Sequence, residues 1–147
     1  MRHFSRFALF LASLIVLAAC SDPQPPIGQW EGAYEDQGLM IVARLQIDGS
    51  GHVRVSAPNA ITDTAPLSDD DRAALRAKLE SGLAASWPSV APLPLEFDGH
   101  AFHKPGGVAP QLEWDKAAKR MTLIFYSGNR RSVRVPLDAV ADFQANS

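Results

Sequence analysis

The stretch LMIVARLQIDGSGHVRVS, Leu39 to Ser56, decides the fold class. Leu39, Ile41, Ala43, Leu45 and Ile47 share one parity, and Arg44, Gln46 and Asp48 share the other. That period of two puts successive side chains on opposite faces of a β-strand. Asp48 to Gly51 then supplies residues that tolerate left-handed backbone, and Val53 and Val55 resume the alternation against His52, Arg54 and Ser56. A β-hairpin is the economical reading.

Working outward, Trp30 and Tyr34 alternate with Glu31 and Glu35 as a first strand beginning near Gly28. Downstream, Ser68 precedes Asp69, Asp70 and Asp71, a capping serine followed by acids at the positive end of a helix. Leu75, Leu79 and Leu83 recur every four residues until Trp87 and Pro88, which predicts one helix over 69–86 with a leucine stripe suited to lying on a sheet. Short alternating runs follow at Leu93–Phe97, His100–His103, Leu112–Asp115, Met121–Tyr126 and Ser132–Leu137. Asp48, Asp98 and Asp115 each end a run at a bend, which supports hairpins in series. Pro136 lacks a donor, so the last strand is expected to lie at an edge or to end there. The expected fold is mainly β within the α+β class. It is an antiparallel meander, curled open or closed as a small barrel of about 6 to 8 strands, with the helix inserted after the third.

The beginning of the chain reads differently. Arg2 and Arg6 precede an apolar run from Phe7 to Leu17 broken only by Ser13, and small residues follow. This is the layout of a secretory signal, too short for the roughly 20 residues of a membrane span. Leu17-Ala18-Ala19-Cys20 resembles the lipobox of bacterial lipoproteins, and Cys20 is the chain's single cysteine. The resemblance implies that residues 1–19 are removed and that Cys20 becomes the first residue and carries three acyl chains. Stable anchoring takes two lipid signals, so three hold a protein in the membrane essentially permanently. The thiol is then consumed and no disulfide forms.

Residues 20–29 are expected to be the lipidated cysteine and a proline-rich tether through Pro23, Pro25 and Pro26, extended at about 3.1 Å per residue and lifting the domain roughly 20 Å from the lipid. Residues 30–147 fit one β-rich domain. In enteric lipoproteins an aspartate directly after the cysteine retains the protein in the inner membrane. Here that place is Ser21, with aspartate only at Asp22, so the periplasmic side of the outer membrane is favoured over the inner membrane.

The chain carries 14 Lys and Arg against 16 Asp and Glu, and loss of Arg2 and Arg6 makes the remainder more acidic. An acidic envelope domain is a poor fit for nucleic acid, and no such partner is expected. The envelope membrane itself is the expected partner through Cys20, together with an envelope protein or a lipid. Gly28-Gln29-Trp30 resembles the G-x-W signature of lipocalins and lipocalin-like bacterial barrels, where the tryptophan closes one end. That resemblance makes Trp30 and Tyr34 candidate ligand-binding residues and implies a carrier of a small hydrophobic ligand.

Other chemistry lacks a pattern. His52, His100 and His103 remain after cleavage, but His100 and His103 are three apart and face opposite sides of a strand, so no metal and no cofactor are expected. No G-x-S-x-G elbow or serine, histidine and acid arrangement is present. Glu31, Glu35 and Glu96 read as solvated strand positions. Lys116, Lys119, Arg120, Arg130, Arg131 and Arg134 make a basic stretch opposed by Asp115 that suits the wet face of a hairpin or an anionic headgroup surface. The sequence thus points to a lipid-anchored envelope protein with a non-catalytic binding or interaction domain, or a lipocalin-like carrier.

Overall fold

The computed structural model describes residues 22–36, 38–56, 59–61, 66–126 and 132–143. Leu17 to Ser21, including Cys20, lie outside the described residues, as do Arg130 and Arg131. The strands are β1 (Gly28–Asp36), β2 (Leu39–Ile47), β3 (Val53–Val55), β4 (Asn59–Ile61), β5 (Glu96–Phe97), β6 (Ala101–His103), β7 (Pro110–Asp115), β8 (Arg120–Tyr126) and β9 (Ser132–Val140). Helix α1 (Asp69–Ser86) and a 3₁₀ turn (Trp87–Ser89) separate β4 from β5.

These strands form one antiparallel sheet in the order β3-β2-β1-β9-β8-β7-β6-β5. β4 pairs with Met40–Val42 of β2 while β3 pairs with Leu45–Ile47, so the two share one lane. The sheet curls into a half-barrel with the helix inserted. Two meanders, β1 to β4 and β5 to β9, are thus stitched together by the first and last strands.

β2 is buried on both faces, and that decides where the helix goes. Ile41, Ala43, Leu45 and Ile47 join Trp30, Phe102, Leu112, Met121, Val135 and Leu137 inside the curl. Met40 and Val42 point outward and are covered by Leu79 and Leu83 of α1, with Ala33 and Leu75 packed alongside. Each such side chain contributes about 1.5–3 kcal/mol when fully buried. The apolar run from Leu39 to Ala43 is the sequence counterpart of a strand covered on both sides.

Helix α1 starts as expected at Ser68, whose Oγ accepts from the Asp71 N–H at 3.2 Å and donates to Asp71 Oδ2 at 2.7 Å. The Asp71 carboxylate therefore takes the hydroxyl proton of the cap, where a full capping box would take its backbone N–H. Past Ser86 the chain does not stop at Pro88 but tightens into the 3₁₀ turn, because proline is tolerated in the first turn of a helical segment.

Two expectations are corrected. The helix follows a fourth strand, since Asn59–Ile61 pairs with β2 where a loop was expected. The edge position expected of the last strand does not hold: β9 lies between β1 and β8 and runs on through Pro136 to Val140. Its ladder with β1 spans only Gln29–Glu31 against Asp138–Val140, so the missing proline donor falls beyond that ladder. Gly32 allows the strands to converge there, since a Cβ on it would overlap the Pro136 carbonyl oxygen and stand 2.9 Å from Leu137 Cδ2. Within the tether expected over residues 20–29, Pro23 and Pro25 lie against the domain. Pro25 Cγ is 3.2 Å from where a Cβ would sit on Gly51, and Pro23 Cβ is 3.4 Å from that position on Gly99.

Candidate functional site

The two edges of the sheet meet at one point. An isolated antiparallel bridge joins Val53 of β3 to Leu93, just ahead of β5, with the Leu93 N–H donating to the Val53 carbonyl at 2.7 Å. Beyond that bridge, Val55 and Ser56 face Leu95, Leu112, Leu123, Ile124 and Phe125 across an apolar cleft of ≈ 430 Å³. Pro94 supplies no N–H to extend the bridge, which leaves the seam between the edges open.

The cleft wall carries little polarity. The Ser56 hydroxyl is occupied, accepting from the Arg44 N–H at 2.9 Å and reaching the Arg44 carbonyl at 3.3 Å. The Gln111 side-chain amide donates to the Ala109 carbonyl at 3.4 Å. Lys104, exposed at the start of the β6–β7 loop, is the one formally charged lining residue. Leu93 and Tyr126 are exposed apolar side chains in the same half of the sheet, and Val108 at the tip of that loop is 95% exposed.

Of the residues singled out from the sequence, Trp30 fills the opposite end of the half-barrel. It is 3% exposed and meets Trp114 edge-on, ring centroids 5.9 Å apart and planes at 77°. Its Nε1 has no hydrogen-bond partner among the described residues. Tyr34 is half-buried; its hydroxyl donates to Asp36 Oδ2 at 3.1 Å, and desolvation, followed by that carboxylate, raises its pKa. Neither Trp30 nor Tyr34 lines the apolar cleft. Trp30 belongs to the buried cluster that also holds Leu45, Leu112 and Leu137.

The end holding Trp30 also gathers the aspartate turns. Asp48 Oδ1 accepts from the N–H groups of Ser50 and His52, Asp98 Oδ1 from those of His100 and Ala101, and Asp115 Oδ1 from Ala118. His52 Nδ1 lies 3.3 Å from Asp48 and His103 Nε2 lies 3.0 Å from Asp98. The Ala101 and His100 N–H groups, with His103 adding to them, hold the Asp98 carboxyl down at about 2. The His52 N–H does the same to Asp48 in direction. Among the described residues no three His, Cys, Asp or Glu side chains converge.

The basic stretch is divided by the fold. Arg120 pairs with Asp138 at 2.8 Å and Arg134 pairs with Glu113, whereas Lys116 and Lys119 stand exposed in the β7–β8 turn. Two of the strand glutamates expected to be merely solvated are paired: Glu31 lies 2.7 Å from the buried Arg44, and Glu35 lies 3.3 Å from Arg72 of α1. The reason is the helix, which covers the outer face of β1 and β2.

Sequence reasoning missed the cleft because its walls come from residues 55–56, 93–95, 104–105, 111–112 and 123–125, which only the curl of the sheet brings together. The available signal was APLPLEF, residues 91–97, where two prolines interrupt an alternating apolar run.

No family model, curated protein or solved structure matches this chain.

Chemically, the cleft offers an apolar wall and one ammonium group. Sites for small molecules are clefts of about 300–1,000 Å³ with apolar linings and a few polar groups that set orientation. An apolar segment placed here is transferred from water at roughly 0.8 kcal/mol per CH₂.

Proposed function

We propose that this chain is a lipid-anchored envelope protein, acylated at Cys20, whose half-barrel binds the apolar portion of a small amphiphile and catalyses no reaction. The observation that carries the reading is the ≈ 430 Å³ cleft lined by Val55, Leu95, Leu112, Leu123 and Phe125. Lys104 on its rim favours an anionic head over a cationic one, since it is the one charge among the lining residues. The protein is a carrier or sensor of such a ligand on the periplasmic side of the outer membrane, the location that Ser21 supports.

Native mass spectrometry of the chain from Asp22 onward tests the ligand. An additional mass matching a single-chain amphiphile is expected, and Leu95→Trp, which fills the cleft, should remove it. A protein that carries no such mass and takes up none when offered would refute the reading. Membrane fractionation of wild type and Ser21→Asp tests the location, and wild-type protein in the inner-membrane fraction would overturn it.

A further inference from the structure

The placement of Pro23 and Pro25 has a directional consequence that goes beyond ligand binding. We infer that the half-barrel stands on the bilayer on the end that carries Trp30 and the aspartate turns, with its apolar cleft facing away from the membrane that holds it. This rests on the reading of Cys20 as the acylated residue.

The first support is the path of the chain. Residues 22–27 precede β1 and lie across two turns at one end of the sheet: Pro25 against Gly51, in the β2–β3 turn, and Pro23 against Gly99, in the β5–β6 turn. Both glycines have positive φ, +79° and +102°, so each turn presents bare backbone on which a proline ring can lie. A segment seated in this way is a fixed exit and not a swinging tether. Asp22 is two residues from Cys20, and two residues span at most about 7 Å. The end of the domain that receives Pro23 and Pro25 is therefore held within roughly a Debye length of the headgroups.

The second support is what that end presents. The β7–β8 turn lies there too, because Asp115 pairs with Arg120, Arg120 with Asp138, and Glu31 of β1 with Asp138. In it Lys116 and Lys119 are exposed. The same end carries carboxylates as well: Asp48, Asp98 and Asp115 accept backbone N–H groups of their own turns, Asp138 pairs with Arg120, and Asp22 and Asp142 are exposed. Lys116 and Lys119 extend outward on long side chains at the place where the chain reaches the membrane, and headgroup phosphates are the groups their ammonium ions fit.

The cleft lies at the other end of the same strands. From the β7–β8 turn, β7 leads to Leu112 and Gln111 and β8 to Leu123, Ile124 and Phe125. A rise of about 3.3 Å per residue puts the cleft roughly 10–15 Å farther from the bilayer, and Val108 roughly 20 Å. The ligand accordingly enters from the aqueous compartment and is not drawn from the leaflet beneath.

The test uses the mature lipidated protein, purified from membranes and reconstituted into vesicles whose headgroups carry a nitroxide. Lys116→Cys and Val108→Cys, both at exposed turn or loop positions, are each labelled with a fluorophore. Quenching at 116 should exceed that at 108 about threefold or more, given sites roughly 20 Å apart along the strands. Equal quenching, or stronger quenching at 108, would overturn the orientation and leave the anchor reading intact. Flotation with the same vesicles tests the anchor separately: wild type should float and Cys20→Ala should not. If both behave alike, the anchor reading fails and the orientation fails with it. Replacing Pro23 and Pro25 together by serine should narrow the quenching ratio toward one while flotation persists; an unchanged ratio would contradict the role given to the prolines.

Discussion

The guanidinium of Arg54 lies over the ring of Trp87, its carbon 4.8 Å from the ring centroid, and clamps the end of the helical segment to the sheet. It donates to the Trp87 carbonyl at 2.8 Å and to the Val90 carbonyl at 2.9 Å, and reaches Gln46 Oε1 at 3.2 Å. One side chain on β3 thus adds a second donor to the Trp87 carbonyl, which already accepts from the Val90 N–H at 3.1 Å, pairs the Val90 carbonyl, and places its charge at the negative end of the helix dipole.

Arg54→Ala should therefore destabilise the fold by about 2–3 kcal/mol, the scale of charged hydrogen bonds with a cation–π contact added. Arg54→Lys should recover less than half of that, because an ammonium cannot present the planar fork that reaches both carbonyls. Urea unfolding monitored by tryptophan fluorescence measures both. A loss below about 0.5 kcal/mol for the alanine variant, the range of ordinary surface changes, would reduce Arg54 to a solvated strand residue.

Gly32→Ala is expected to be far more damaging than its conservative chemistry suggests. The added methyl would meet the Pro136 carbonyl oxygen and Leu137 Cδ2, so β1 and β9 would have to part. A loss of about 3 kcal/mol or more is predicted. A melting temperature within a few degrees of wild type, which for a domain of this size reports a change near 1 kcal/mol, would show that β9 can shift.

Trp30 and the hairpin from Leu39 to Ser56 show what the sequence made legible. Period-two alternation specified the inner face of β2, and the capping serine and leucine stripe specified α1, because these signals are local. Arg54, Arg44 and Glu31 show why the rest was not. Strand alternation assigns them to an outer face, but whether that face is wet depends on the helix covering it, which is a tertiary fact. The same holds for Pro136, whose consequence depends on where the β1–β9 ladder ends. The cleft was invisible because its walls lie far apart in the chain, and the prolines near the N-terminus read as a spacer because the turns that receive them come later.

The Asp98 turn sets an acid limit for the end of the half-barrel that holds Trp30. Its carboxyl is held at about 2 by the N–H groups of Ala101 and His100, against an ordinary value of 3.8. A carboxyl depressed on folding stabilises the native state above its unfolded value, and that contribution is lost as pH falls through the folded one. Part of the acid destabilisation between about pH 4 and pH 2 should therefore disappear in Asp98→Asn, which should already be less stable at neutral pH. Carboxyl-carbon NMR titration checks the assignment: a midpoint for Asp98 near 3.8 would contradict the hydrogen-bonded turn.

Removing the helix cap gives a smaller, local effect. Ser68→Ala should cost about 1 kcal/mol, since it deletes the acceptor for the Asp71 N–H and the donor to its carboxylate. Hydrogen exchange should quicken in the first turn of α1 and leave β7 and β8 unchanged. Acceleration spread through the sheet would indicate that the helix end is not an independent unit.

Ligand binding by the cleft is the central claim, and a calorimetric titration of the chain from Asp22 with saturated fatty acids and matched alcohols tests it most directly. The account predicts one saturable site with a negative heat-capacity change, and roughly tenfold tighter binding for each two added methylenes until the cleft is full. The acid should be preferred over the alcohol by about fivefold, and Lys104→Met should abolish that preference. Absence of saturable binding for any member of either series would contradict it.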